Sequence, residues 1–296
     1  MKKNIGFIGI GNMGQRMCEN LSKYFSIKAY DKNKKALNSI KYKNIEITEN
    51  IKNLCVNTNI VITMLRDSKQ VKEICRSKRG LFNNLLPGSI IINCSTIDIE
   101  TSIELYQEGK SRNIDIVDCP VSGGVNSAKV SELTFMVGGK KTIVEKIEPI
   151  LKKMGTRVIY TGKAGSGQAA KICNNMLLGI TMIGACEAFL LAEKLGLSYQ
   201  KLYEVLTNSS SDCWSVRKYP PVPGIIDNVP ANNDYNGGFS AELMLKDLFI
   251  SQKALKNVNM KGYLSKESTK LYRKFNKTKQ KSLDFSAIIK LLSNFD

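Results

Sequence analysis

Short apolar runs alternate with amphipathic stretches through the first half of the chain. The runs Asn4–Ile8, Ile27–Tyr30, Ile60–Met64, Ser89–Asn93, Ile114–Asp118, Leu133–Val137 and Val158–Tyr160 are rich in Ile and Val and predict β-strands. Between several of them, Met13–Tyr24, Lys69–Lys78, Ile99–Lys110 and Lys141–Lys153 place apolar residues at helical spacing. Strand–helix alternation predicts crossover units, a mostly parallel sheet and ligands beyond the carboxyl ends of its strands. After Tyr160 the pattern changes. Thr161 to Gly167 is a glycine-rich hinge, followed by helical runs over Gln168–Leu195 and Ser198–Asn208. A loop with four prolines comes next (Tyr219–Pro230), and helices are predicted from about Ala241 to the end. The expected organisation is an α/β domain over 1–162 and an all-helical domain over 163–296.

Composition narrows the chemistry. The chain has 296 residues, 44 Lys plus Arg against 26 Asp plus Glu, and a formal charge of +18, which favours anionic partners. It has no histidine. That excludes Ser-His-Asp and Cys-His hydrolases and any dehydrogenase with an imidazole acid/base. Proton chemistry near neutral pH then falls to Lys, Asp, Glu, Tyr, Cys or ordered water. The eight cysteines form no C-x-x-C pair, so they read as reduced, mostly buried singles and no metal site is expected. The longest apolar stretch, Met176 to Leu197, is broken by Glu187, Glu193 and Lys194 and reads as a buried helix, not a membrane span. No apolar signal core or Arg/Ser-rich stretch stands ahead of the first strand. The expected compartment is therefore cytoplasmic, with the mitochondrial matrix as the alternative.

Gly9-Ile10-Gly11-Asn12-Met13-Gly14 follows an apolar strand and opens a helix, the context that a dinucleotide-binding, Rossmann-type fingerprint requires. Gly9 allows the tight turn, Gly11 lets backbone approach a pyrophosphate at the helix N-terminus, and Gly14 permits close helix–strand packing. Asp31, about 20 residues on, ends the second strand, where an acid accepts from the adenosine ribose diol and repels a 2′-phosphate. NAD is thus expected over NADP, although Lys32, Lys34 and Lys35 offset part of that repulsion. A second group stands on the long helix. Lys171, Asn174 and Asn175 fall at i, i+3 and i+4 and share a face. One account is a satisfied hydrogen-bond cluster. The other is a catalytic lysine with an amide beside it, its pKa lowered by burial from about 10.4 towards ~7–8. Ser122-Gly123-Gly124 offers a hydroxyl and exposed backbone N–H groups, suited to a carboxylate.

Together these residues resemble the β-hydroxyacid dehydrogenase family over nearly the whole chain. The resemblance rests on Gly6 through Gly14, Ser95-Thr96, Asp118 through Gly124, Gly165 through Asn175, and Leu245-Lys246-Asp247-Leu248. Tyr219-Pro220-Pro221-Val222-Pro223-Gly224 and Asn236-Gly237-Gly238-Phe239 are similar to one branch of the family; members that reduce tartronate semialdehyde or glyoxylate, or oxidise 6-phosphogluconate, are not usually like this in the proline loop, and a tartronate semialdehyde or glyoxylate/succinic semialdehyde reductase is the alternative within the family. The resemblance implies reversible NAD-dependent oxidation of a small 3-hydroxy acid. In it Lys171 is the acid/base, Asn175 with Asn174 orients the substrate, and Ser122, Gly123 and Gly124 hold the carboxylate. Leu65, Arg66, Gln70 and Thr96 join Gly9, Ile10, Gly11, Asn12, Met13, Gly14 and Asp31 on the cofactor. Lys246 reaches cofactor and substrate, and Trp214 and Phe239 wall the pocket, Phe239 on the cofactor side. Three positions depart from the family pattern, all on the cofactor side: Arg66 for a proline, Gln70 for an asparagine, Asn93 for an aspartate.

Two rival accounts remain. Tyr-x-x-x-Lys pairs of the short-chain dehydrogenase type occur at Tyr24/Lys28, Tyr30/Lys34 and Tyr106/Lys110, but the glycine spacing is of the wrong type. From Lys253 to Lys281 there are ten Lys or Arg and one acid, with Tyr263, Tyr272 and Phe275 interspersed, a pattern that can hold nucleic-acid phosphates. A solvated basic helix face is favoured, because Leu264, Leu271, Phe275 and the tyrosines fit core spacing. Gly179, Gly184 and Ala185 on the long helix suggest close packing between subunits, hence a homodimer or homotetramer.

Overall fold

The computed structural model describes residues 4–38, 40 and 42–293, and the chain divides into two compact units, with the boundary in sequence between Lys171 and Ile172. In the first unit, β1 (Asn4–Ile8), β2 (Ser26–Tyr30), β3 (Ile45–Ile47), β4 (Ile60–Thr63), β5 (Ile90–Asn93) and β6 (Asp115–Asp118) are joined by helical crossovers. These are α1 (Asn12–Ser22), α2 (Lys34–Asn38), α3 (Ile51–Cys55), α4 (Ser68–Arg76) with α5 (Leu81–Asn84), and α6 (Ile99–Ser111). Beyond them come β7 (Val121–Ser122), α7 (Gly124–Lys129), β8 (Leu133–Gly138), α8 (Lys141–Leu151) and β9 (Gly155–Gly162). The strand order is β3-β2-β1-β4-β5-β6-β8-β7, with β9 on β8. The pairs from β3 to β6 are parallel, and β8 runs antiparallel to β6 and β7. The chain reverses direction across the sheet between β1 and β4, which opens a crevice at their carboxyl ends.

Both faces of this sheet are covered, so its strands are apolar on both sides. Phe7, Ile62, Ile92 and Val117 pack with Met17 and Leu21 of α1 and Val144 and Ile147 of α8. On the opposite face Ile8, Val61, Ile91 and Ile116 pack with Leu54, Val71 and Leu105. The seven expected strands are present. The sequence pattern did not show β3, β7, α2, α3, α5 or α7.

The long helix α9 (Ser166–Lys194) begins in the first unit and continues into the second. The second unit adds α10 (Tyr199–Thr207), α11 (Trp214–Arg217), α12 (Ala241–Asn257), α13 (Tyr263–Phe275), α14 (Ile289–Leu292) and 3-10 turns at Pro230–Asn233 and Phe285–Ile288. Its core joins Met182, Cys186 and Phe189 of α9 to Met244 and Leu248 of α12, Tyr272 and Phe275 of α13, and Phe285. The last three residues of the predicted C-terminal helix lie outside the described residues.

The long helix is not buried all round: Leu177 and Leu191 are each 59% exposed. Of the three small residues expected to face another subunit, Gly179 packs inward, where a Cβ would lie 3.0 Å from Leu248, and Ala185 is buried. Gly184 does face open space. In the basic tract, Tyr272 and Phe275 are core residues, but Tyr263 and Leu264 are exposed because they open α13 on its solvent side.

Candidate active site

The glycine turn has the geometry its residues demand. Gly9 sits at φ +98°, and a Cβ there would run into the Met64 carbonyl; one on Gly14 would strike the Gly9 carbonyl. Gly11 differs: its φ is −75° and a Cβ would meet nothing within 4 Å. That open space stands at the start of α1, where no side chain caps the helix and its first turn holds no acid. Helix N–H groups without a side-chain cap beside the open space at Gly11 fit a pyrophosphate. Asp31 closes the turn from β2. Its Oδ2 accepts from the Ile10 N–H at 2.7 Å and its Oδ1 from the Asn33 N–H at 2.8 Å, and the carboxylate remains partly exposed beside Gly9 and Gly11. The residues present therefore fit a dinucleotide. Asn12 is exposed and Met13 half-buried.

The ends of β4 and β5 lie next along the sheet. The Leu65 N–H donates to Ser95 Oγ at 2.8 Å, which ties the two strand ends together. The Arg66 N–H donates to Gln70 Oε1 at 3.2 Å, and both side chains are exposed. Thr96 is half-buried between Ser95 and Ile97, and Gln168 grips both of those neighbours. Its Nε2 donates to the Ser95 carbonyl at 2.8 Å and its Oε1 accepts from the Ile97 N–H at 3.0 Å. Asp118, at the end of β6, caps the start of α9: Oδ1 accepts from Gly165 N–H at 2.8 Å and Oδ2 from Gln168 N–H at 2.9 Å. Burial pushes the Asp118 carboxyl up, and these backbone donors pull it partly back. The approach is close enough that a Cβ on Gly167 would lie 2.8 Å from Asp118 Oδ2. Lys171 follows Gln168 by three residues, one turn along the same face, and is only 8% exposed. The first unit thus brings Lys171, Thr96, Leu65 and the glycine turn to the carboxyl side of one sheet. Gly123 and Gly124, at φ +128° and +70°, turn the backbone after Ser122 at the end of β7 through conformations that favour glycine.

In the second unit a chain of polar contacts runs along α9 and α12. Asn174 Nδ2 donates to Asn175 Oδ1 at 2.9 Å, and Asn175 Nδ2 donates to Asp247 Oδ2 at 2.5 Å. Lys246 Nζ lies 3.0 Å from Asp247 Oδ1, but that oxygen accepts no aligned hydrogen bond, so the contact is an ion pair. Asn175 and Asp247 are buried, whereas Asn174 is exposed; the expected trio is a buried pair with an outer partner. Trp214 opens α11 and stacks on Tyr219 at 4.7 Å, and Phe239 meets Phe285 edge-on at 5.9 Å. Sequence reasoning assigned no role to Gln168, Asp247 or Asp284. Among the described residues, no three His, Cys, Asp or Glu side chains are grouped to hold a metal ion.

Residues 4–162 match the NAD-binding domain of 6-phosphogluconate dehydrogenase, and residues 165–292 match the NAD-binding profile of NADP-dependent 3-hydroxyisobutyrate dehydrogenase. The chain belongs to the β-hydroxyacid dehydrogenase family. It is 38% identical to the 3-hydroxyisobutyrate dehydrogenase of Rattus norvegicus, named as mitochondrial, over 98% of this chain and 87% of that protein. It is 35% identical to an NAD-dependent L-serine dehydrogenase of Pseudomonas aeruginosa, over 98% and 97% of the two chains. The solved Mycobacterium tuberculosis 3-hydroxyisobutyrate dehydrogenase with L-serine superposes at a TM-score of 0.90, with 36% identity and 99% of each chain covered. As a β-hydroxyacid dehydrogenase the chain is an NAD(P)-dependent oxidoreductase with a Rossmann-type N-terminal domain and a helical C-terminal domain.

Proposed function

We propose that this chain oxidises the primary alcohol of 3-hydroxyisobutyrate to methylmalonate semialdehyde, a step of valine catabolism, with NAD preferred over NADP. The observation that carries this reading is the buried Lys171 amine, one helical turn beyond the glutamine amide that grips both sides of Thr96. The working parts are a cofactor domain over 1–162 and a helical domain over 163–296. The nicotinamide supplies the hydride-accepting carbon when the dinucleotide is bound. Gly9 to Gly14 and Asp31 hold the dinucleotide, and Leu65, Arg66, Gln70, Thr96, Phe239 and Lys246 are the other residues assigned to it. Lys171, as the neutral amine, takes the substrate hydroxyl proton and returns it in the reverse direction. As the ammonium it stabilises charge on the reacting oxygen. Ser122, Gly123 and Gly124 bind the carboxylate. Asn175, oriented by Asp247, positions the hydroxyl with Asn174 behind it, Lys246 adds positive charge, and Trp214 walls the pocket.

Lys171→Ala tests the assignment: kcat is expected to fall about 10²- to 10⁴-fold with dinucleotide binding retained, and near-normal kcat rejects it. A panel of 3-hydroxyisobutyrate, L-serine, tartronate semialdehyde, glyoxylate and succinic semialdehyde, each with NAD and NADP, tests the substrate. L-serine is the second reading. It is favoured by the Pseudomonas aeruginosa and Mycobacterium tuberculosis relatives, and it shares the 3-hydroxy acid frame.

A homodimer or homotetramer is part of the proposal. Cys173, Leu177, Gly184, Leu191 and Leu195 recur at helical spacing along α9 and its end and face outward, an apolar stripe of the kind a second copy covers. Sedimentation as a monomer at micromolar concentration rejects this. For the compartment, mitochondrial names among the relatives support the matrix alternative over the cytoplasmic expectation. Imaging a C-terminally tagged chain beside a matrix marker decides between them.

A further inference from the structure

The aromatic wall of the helical unit is built on a single buried carboxylate. Asp284 is 0% exposed, and both its oxygens are spent. Oδ2 accepts from the Tyr219 hydroxyl at 2.9 Å and from the Phe239 N–H at 2.8 Å. Oδ1 accepts from the Ser286 N–H at 2.9 Å and the Ser286 hydroxyl at 2.6 Å. The backbone is knotted at the same point, because the Asp284 N–H donates to the Tyr235 carbonyl and the Phe285 N–H to the Phe239 carbonyl, each at 2.8 Å. Gly238 is held at φ +65°, where a Cβ would strike Asp284 Oδ2 and lie 2.7 Å from the Tyr219 hydroxyl. Only a glycine lets these groups converge.

The aromatic rings are set by this knot. Tyr219 lies between Trp214, at 4.7 Å and 21°, and Phe285, at 5.5 Å and 24°. Phe239 meets Phe285 edge-on at 5.9 Å. The Tyr219 hydroxyl is anchored on Asp284, so the ring cannot swing without breaking a hydrogen bond to a buried acceptor. Trp214, 46% exposed at the open end of the stack, inherits its plane from the Tyr219 face. We propose that Asp284 is a positioning residue for the substrate pocket, fixing the planes of Trp214 and Phe239 through Tyr219 and the Phe239 backbone without itself touching substrate. This rests on the reading that Trp214 and Phe239 wall that pocket.

The test uses the whole enzyme and two variants, Tyr219→Phe and Asp284→Asn. Tyr219→Phe keeps the ring and removes only its anchor, so it remains informative if Asp284→Asn fails to fold. The KM for 3-hydroxyisobutyrate is expected to rise about five- to tenfold, the order that loss of one ordinary hydrogen bond carries. In Tyr219→Phe, which leaves the Phe239 N–H on Asp284, kcat and the KM for NAD are expected to stay within about twofold, as the loss of uniform substrate binding requires. The chain has one tryptophan, so intrinsic emission reports the Trp214 stack alone and should shift in both variants at temperatures where circular dichroism is unchanged. Unchanged KM together with unchanged emission in Tyr219→Phe overturns the proposal. If the wild type oxidises the acid but Trp214→Phe leaves its KM unaltered, the wall and this proposal fail while the reaction stands. If no 3-hydroxy acid is turned over, the functional reading fails, and the emission of Tyr219→Phe alone decides whether Asp284 sets the ring planes.

Discussion

Replacing Gln168 with methionine is the sharpest test of how α9 is seated. The side chain is 0% exposed and makes two hydrogen bonds, to the Ser95 carbonyl at 2.8 Å and from the Ile97 N–H at 3.0 Å. Methionine matches glutamine in length, so packing is nearly kept and both backbone groups lose their side-chain partner. Each buried polar group left unpaired costs about 1–3 kcal/mol, hence about 2–6 kcal/mol together, less about 1 kcal/mol regained from the more apolar side chain. A net loss of about 3 kcal/mol lowers the urea midpoint by about 1 M at a slope of 2–3 kcal/mol per molar. The same change frees the turn that carries Lys171. kcat should therefore fall about tenfold or more, while the dinucleotide, held by the Gly9–Gly14 turn, binds within about threefold of wild type. Urea unfolding and steady-state kinetics on one preparation read both effects. A midpoint shift below about 0.2 M, corresponding to under 0.5 kcal/mol, together with unchanged kcat would refute the claim that Gln168 seats the helix.

Gly11→Ala should leave stability within about 0.5 kcal/mol, because its φ of −75° suits alanine and its Cβ would enter open space. It should nevertheless weaken dinucleotide binding about tenfold or more by filling the cradle, as calorimetry will show; undiminished affinity would place the dinucleotide elsewhere. Asp31→Asn should lower the NAD-to-NADP ratio of kcat/KM by about tenfold, by removing the charge that repels a 2′-phosphate, and an unaltered ratio rejects the ribose role. Burial holds the Cys55 thiol up at about 11 and the Cys75 thiol at about 12, from an ordinary 9.0. A raised folded-state value contributes stability that is full below the unfolded value and drains as pH climbs towards the folded one, at about 1.4 kcal/mol per pH unit per thiol. The urea midpoint should thus fall from pH 9 to 11, and Cys75→Ala should make that fall shallower. An identical slope in the variant would contradict it.

Much of the first unit was legible because a doubly covered parallel sheet needs continuous Ile and Val runs, and because the glycine turn needs glycines where backbone meets backbone. β3 escaped notice for the opposite reason. Ile45-Glu46-Ile47 is three residues long with Glu46 and Ile47 exposed, and its strand character comes from pairing with Ile27–Ala29. Shared helical spacing does not resolve the polar trio. At about 100° per residue, Asn174 and Asn175 lie on either side of Lys171 around the helix, and the edge of burial falls between them, leaving Asn175 inside and Asn174 outside. Gln168 and Asp247 fall inside segments that carry the family resemblance, but nothing local marks their partners, and Asp284 falls outside those segments. Their partners Ile97, Asn175 and Tyr219 stand 71, 72 and 65 residues away, a distance at which neither periodicity nor spacing speaks.

The distribution of those buried polar groups is itself an argument about function. The sheet faces and the helical core are built of Ile, Leu, Val, Phe and Met, where buried carboxylates and amides would only cost stability. Yet Asp118, Gln168, Asn175, Asp247 and Asp284 are all buried, and burial pushes the Asp118 and Asp284 carboxyls up against the donors that hold them. Each restrains a segment already named on other grounds: the start of α9 with Lys171, the strand end with Thr96, the Asn175 amide, and the Tyr219–Phe239 wall. Replacing such groups with apolar residues of like size is often neutral or stabilising elsewhere in proteins. Glu19 and Asn20 of α1 and Asn93 of β5 are buried as well, so it is the concentration of such groups on these segments, with the restraint each supplies there, that points to geometry held at the expense of stability. Apolar substitution at Gln168 or Asp284 should therefore disturb kinetics more than an equally buried core change such as Ile92→Val, and equal kinetic effects would dissolve the distinction.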